Sequence, residues 1–184
     1  MALQPLLLVD MDGVLCAYNE RLFESGLLRP DQLTHETWKD CALPSELKEK
    51  IRRTVYSQGF FADLKPIPGA VESVGELLVL GWNVYVCSRP PKSRFAWSEK
   101  FEWIQRYCPI LRERIILTTC KAEVKGEAFV DDSLLSLREW PGGRKLLLQT
   151  NPFLRYSAIP NDVLHFTTWS DLTEYFKSHT LDNL

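Results

Sequence analysis

Leu6-Leu7-Leu8-Val9 is an aliphatic run that stops at Asp10, and Asp12 follows two positions on with Gly13 behind it. A short apolar run bounded by turn signals predicts a strand buried on both faces. Side chains alternate along a strand, so carboxylates at i and i+2 leave its end on the same side. Four later stretches, 83–87, 114–117, 127–130 and 145–149, read as further strands. Between them the apolar period changes to that of a helix. Val71, Val74, Leu77 and Leu78 define one over 70–80 that Gly81 stops. A second covers 97–107 and ends at Cys108-Pro109. A short one fits 132–139 before Pro141-Gly142-Gly143, and a last one fits 169–177 with Ser170 as its N-cap.

Residues 17–65 break this alternation. They hold a helical pattern over 18–28 and another after Pro44-Ser45-Glu46, where Leu47, Ile51, Val55 and Tyr56 recur at helical spacing. The stiff turn Pro66-Ile67-Pro68-Gly69 closes the stretch. The expected organisation is an α/β core over 1–16 and 66–184, with a small helical cap over 17–65 inserted after the first strand. Alternating strands and helices form an open, mostly parallel sheet covered on both faces.

The 184 residues are 45% hydrophobic and 25% charged, enough for one compact core, and the net charge is −2. That balance offers no footprint for a nucleic-acid polymer or an anionic membrane, while one local cationic pocket still suits a small anion. The five cysteines are irregularly spaced without a CxxC, which argues for free thiols rather than a disulfide framework or a zinc site. No Lys or Arg precedes Leu6, and the first apolar stretch is too short for a secretion signal or a membrane span. The expected location is a reducing cytoplasm.

Ligands of open parallel sheets bind beyond the carboxyl ends of the strands. Those ends carry Asp10 and Asp12, then Ser88-Arg89, then Thr118-Thr119 with Lys121, then Asp131-Asp132. Asp-Met-Asp-Gly alone is as well read as a polar turn; four strand ends delivering reactive groups to one edge are not. Carboxylates without nearby His or Cys make an all-oxygen site suited to magnesium. A carboxylate also attacks phosphorus to give an aspartyl-phosphate, and the developing charge then needs a cation, a lysine and a hydroxyl. Asp10 fits the nucleophile and Asp12 the acid and base. Ser88 fits the clamp, Lys121 the cation in competition with Lys125, and Asp131-Asp132 the metal ligands. The three histidines show no ligand spacing and receive no role.

These residues resemble the haloacid dehalogenase superfamily of phosphohydrolases. VDMDGVL at 9–15, GFFADLKPIPGA at 59–70, EKFEW at 99–103, ERIILT at 113–118 and FVDDS at 129–133 resemble the 5'(3')-deoxyribonucleotidases in particular. The resemblance implies a three-layer Rossmann-like fold and magnesium-dependent hydrolysis of deoxyribonucleoside monophosphates. It makes Asp10 the phosphorylated nucleophile and Asp12 the proton donor and base, with the Asp12 backbone carbonyl on the metal. Asp132 becomes a direct metal ligand supported by Asp131. Ser88 and Lys121 hold phosphate, and Lys121 is preferred over Lys125 by its spacing to the Asp pair. Tyr18 and Tyr56 fall at substrate-side positions, Tyr18 against the nucleobase. A small nucleotide is the implied partner, and a homodimer is allowed.

The chain departs from that pattern in places. Ala17 stands where the family usually has Asp, Ser88-Arg89 replaces Thr-Ser, and Thr119-Cys120-Lys121-Ala122 replaces Arg-Asp-Lys-Thr. Arg89 adds a bulky cation beside the phosphate positions. Residues 26–45 align poorly with the family. Asp10, Asp12, Lys121 and Asp132 are untouched, so the departures bear on base preference and on the choice between 5' and 3' phosphates.

Overall fold

A computed structural model describes residues 4–150, 154, 156 and 158–179. Six strands make one sheet: β1 (Leu6–Val9), β2 (Asn83–Ser88), β3 (Ile115–Leu117), β4 (Ala128–Asp131), β5 (Arg144–Leu148) and β6 (Val163–Phe166). Their order is β3-β2-β1-β4-β5-β6 and every pairing is parallel. The chain thus moves outward from β1 to one edge, then returns to β4 on the other side of β1. The loops after β1 and β4 meet at that reversal, where an open sheet leaves a crevice.

Both faces of the sheet are dry at its centre, as the unbroken aliphatic run of β1 requires. Leu7 and Val9 join one apolar cluster with Val84, Val86, Ala128 and Leu146, while Leu8 joins a second with Phe129 and Leu147. The first cluster is completed by α3 (Ala70–Val79), α4 (Ala96–Tyr107) and α6 (Trp169–Ser178), through Val74, Leu77, Trp103, Leu172 and Phe176. The second is covered by α5 (Leu134–Glu139) with Leu137 and Trp140. Helix, sheet and helix make three layers.

Between β1 and α3 lie α1 (Tyr18–Glu24), a single 3-10 turn at Pro30–Gln32 and α2 (Ser45–Val55), with no strand. This stretch packs onto the first cluster through Leu22, Trp38, Ile51, Phe60 and Phe61. All five cysteines are free thiols, four of them buried. Among the described residues, no helix is long and apolar enough to cross a membrane.

Two local expectations are corrected. The first helix ends at Glu24 rather than near 28, because Gly26 at φ +71° takes a left-handed turn and its N–H returns to the Phe23 carbonyl. The N-cap of α6 is Thr168, not Ser170; its extended backbone lets the hydroxyl accept from Asp171 N–H at 3.1 Å. The sequence also hides β6. It is an edge strand with Leu164 and His165 exposed, so it needs no apolar run.

Candidate active site

The N–H of Asp10 donates to the Val130 carbonyl at 2.8 Å, so the sheet ladder still holds this residue after β1 ends. The chain then folds tightly, with the Met11 carbonyl accepting from Leu15 N–H at 2.8 Å and Cys16 N–H at 2.9 Å. Gly13 sits in this turn at φ +76°, and a Cβ there would overlap the Asp132 carboxylate. Only glycine both adopts that conformation and leaves room for the carboxylate.

Two lysine-centred groups occupy the strand ends. In the first, Lys121 leaves the 3-10 turn after β3 and places Nζ 3.0 Å from Asp10 Oδ1 and 2.7 Å from Asp131 Oδ2. Burial opposes the charge on Lys121, but Asp10 and Asp131 outweigh it and raise its pKa well above the usual lysine value. Lys125, the competing cation, is exposed. In the second group, Lys100 is fully buried and donates to Asp12 Oδ1 at 2.5 Å and to Ser88 Oγ at 3.2 Å. Its Nζ also lies 4.8 Å from the centre of the Phe61 ring.

Lys100 is the residue that strand-end reasoning misses, because it rises from the first half of α4. A signal for it does exist. Ala96, Lys100, Trp103, Ile104 and Tyr107 recur at the helical period, so the lysine falls on the face turned to the core. A buried lysine needs a partner, and this one finds a carboxylate and a hydroxyl.

Asp10, Asp131 and Asp132 each offer a carboxylate oxygen, and the three lie within 4.8 Å of one another. The Asp12 carboxylate turns instead to Lys100. Burial, then the neighbouring Asp131 and Asp10, raises the pKa of Asp132 well above the ordinary range. Burial also raises Asp131, against the pull of Lys121. Asp10 Oδ1 is buried and has no hydrogen bond; the 3.0 Å approach of Lys121 is an ion pair without hydrogen-bond alignment. Crowded carboxylates, one with an orphaned buried oxygen, fit a hard divalent cation such as magnesium. Asp131 is already engaged by Lys121 and by Ser133 N–H at 2.8 Å, which leaves Asp10 and Asp132 the freer donors.

A cleft of about 180 Å³ opens beside Asp12, lined by Tyr18, Trp38, Tyr56, Phe61 and Arg89 among others. Trp38 Nε1 donates to Tyr18 Oη at 3.1 Å, and the Tyr18 ring packs against Phe60 and Phe61. Tyr18, Tyr56 and Arg89 therefore share one cleft, with Arg89 exposed at its wall. A larger cavity of about 580 Å³ lies along β5 and β6 at Gln149, Thr150, Tyr156 and His165, and none of the clustered carboxylates lines it.

The fold matches solved haloacid dehalogenase-like structures. A hydrolase of that family from Streptococcus pneumoniae superposes with TM-score 0.61 at 16% identity over 94% of this chain and 98% of that one. D,D-heptose 1,7-bisphosphate phosphatase from Burkholderia thailandensis gives 0.55 at 15% identity over 95% and 99%. The family model described as "5' nucleotidase, deoxy (Pyrimidine), cytosolic type C protein" matches residues 4–178. The human cytosolic-type 5'(3')-deoxyribonucleotidase is 33% identical over 93% of this chain and 92% of its own length. A putative 5'(3')-deoxyribonucleotidase of Bordetella pertussis is 34% identical over 69% of this chain and 73% of its own. The fold is thus haloacid dehalogenase-like, and the class is a phosphomonoester hydrolase. Within it, the chain belongs to the 5'(3')-deoxyribonucleotidase family.

Proposed function

We propose that this hydrolase removes phosphate from deoxyribonucleoside 5'-monophosphates, and from 3'-monophosphates as a further substrate, with magnesium as cofactor. One observation carries the reading: two buried lysines divide the strand-end carboxylates, Lys121 with Asp10 and Asp131, Lys100 with Asp12 and Ser88. Asp10 is the nucleophile. Its oxygen bonds to phosphorus as the ester P–O bond breaks, giving an aspartyl-phosphate. Asp12 delivers a proton to the leaving ribose oxygen, then takes one from the water that cleaves the intermediate and returns Asp10 and orthophosphate. Lys100, Lys121 and Ser88 hold the phosphoryl oxygens, and Arg89 stands at their edge.

Asp10 and Asp132 would hold the magnesium directly, with the Asp12 backbone carbonyl, while Asp131 supports Lys121 and the loop. Bound there, the cation neutralises charge that builds on the phosphoryl group. Tyr18 and Tyr56, with Trp38, receive the base in the aromatic cleft, and residues 17–65 act as a cap over a core of 1–16 and 66–184. The human cytosolic relative and the reduced, mostly buried thiols support a cytoplasmic enzyme. A homodimer is compatible with this reading.

A second reading keeps the chemistry and changes the substrate to another small phosphometabolite. The exposed cations Arg89 and Lys39 at the cleft favour it, because they suit a substrate with a second anionic group. One panel decides: 5'- and 3'-deoxynucleotides, ribonucleotides and sugar phosphates, each with magnesium and with EDTA. Deoxynucleotides are expected to give the highest kcat/KM, EDTA to abolish turnover, and Asp10→Asn to abolish it with magnesium present. Rates on every nucleotide no better than on a generic aryl phosphate would refute the nucleotidase reading.

A further inference from the structure

Glu36 lies in the stretch between β1 and α3, in a segment without regular structure before Trp38. Its carboxylate is not part of the acidic triad, yet it reaches across to the loop that carries Asp131 and Asp132. Ser133 Oγ donates to Glu36 Oε2 at 2.6 Å, and the N–H of Leu134 donates to Glu36 Oε1 at 2.9 Å. Ser133 is the next residue after Asp132, and its own N–H is bound to Asp131 Oδ1 at 2.8 Å. Tyr156, which lines one cavity together with Glu36, donates from Oη to the Asp132 carbonyl at 3.1 Å. The Asp132 backbone is therefore held by Tyr156 directly and by Glu36 through the two residues that follow it. The carboxylate itself is confined against Gly13.

We infer that Glu36 is a positioning residue for the divalent-cation site, acting through Ser133 and Leu134 on the rotamer and placement of Asp132. The inference rests on the magnesium reading given above. A direct ligand is only as good as the groups that orient it, and removing such an outer partner lowers metal affinity about 10- to 100-fold. Glu36 also brings a third carboxylate to the loop of Asp131 and Asp132, which favours a cation on electrostatic grounds. Because it belongs to the 17–65 stretch, metal affinity and the seating of that stretch are coupled, each raising the other by the same factor. Nothing in the motif pattern points to Glu36; it falls within 26–45, where the family resemblance is poorest.

The test is isothermal titration of magnesium chloride into the metal-free full chain and into two variants, with circular dichroism and melting curves as fold controls. Glu36→Ala is expected to raise the magnesium Kd about tenfold or more. Glu36→Gln keeps one acceptor oxygen, so its Kd should rise by a smaller factor, about threefold. With either variant, saturating magnesium should restore most of kcat, since the reacting groups are untouched. A folded Glu36→Ala chain whose Kd stays within twofold of the parent overturns the inference. If Glu36→Ala fails to fold, Glu36→Gln decides: a Kd raised about threefold supports it, one within twofold overturns it. Both variants unfolding would make Glu36 a structural residue and also overturn it. A parent chain that binds no magnesium at all overturns both this inference and the metal reading beneath it.

Discussion

Lys100 and Lys121 are both buried, but they face different carboxylates, and that difference separates two tasks. Lys121 neutralises the pair of Asp10 and Asp131, while Lys100 holds Asp12 beside the Ser88 hydroxyl. Lys100→Met keeps the volume and removes the charge. Its kcat is expected to fall about 10²- to 10³-fold, the range for loss of one preorganised charge-stabilising donor. Steady-state kinetics on a variant with an unchanged circular dichroism spectrum would check it; a kcat within threefold of the parent would contradict the role. Lys121 was separated from Lys125 only through the family resemblance, while the strand-end carboxylates and Ser88 were legible in the sequence because an apolar run that ends in a polar residue marks its own boundary. Lys100 was not, because a helix shows no such boundary at mid-length and a lysine there usually reads as a solvated charge. Glu36 was hidden for another reason: its partners lie nearly a hundred positions away.

Elements differ in how far they announce themselves. The first five strands were readable from short apolar runs, whereas β6, half exposed at the sheet edge, has no periodic signal. Helix existence was legible throughout, as was the stop at Tyr107 before Cys108-Pro109, but the end of the first helix and the cap of the last were not. A glycine two residues past Glu24 and a threonine before Trp169 set them, through backbone hydrogen bonds that a hydrophobic period does not encode. The Thr168 cap has a measurable worth. Thr168→Ala removes the hydroxyl that accepts from Asp171 N–H and should destabilise the protein by about 1 kcal/mol. Chemical denaturation would register this as a lower midpoint at unchanged slope. No shift in midpoint would show that solvent replaces the cap without loss.

At the scale of the whole molecule, the sheet order decides which loops can cooperate. Placing β1 between β2 and β4 brings the Asp10, Ser88 and Asp131 ends together, although these residues are 78 and 121 positions from Asp10 by subtraction of their numbers. The acidic triad then becomes a liability of the metal-free fold, since buried like charges repel. A cation bound only to the folded state stabilises it by mass action, about 2.7 kcal/mol at a hundredfold excess over Kd. Magnesium should therefore raise the melting temperature of the parent, and Asp132→Asn should abolish most of that rise. Differential scanning calorimetry with and without magnesium makes the comparison; equal shifts in both proteins would place the cation elsewhere.

The indole of Trp169 donates to the Val14 carbonyl at 2.8 Å, in a buried contact spanning 155 positions. The tight turn behind Asp10 and Asp12 thus leans on the last helix. In a chain made from its N-terminus, this turn leaves the ribosome 155 residues before the indole that supports it. A nascent chain halted before residue 169 would carry Asp10 and Asp12 with this support missing, so the turn behind them is completed only once Trp169 has been made.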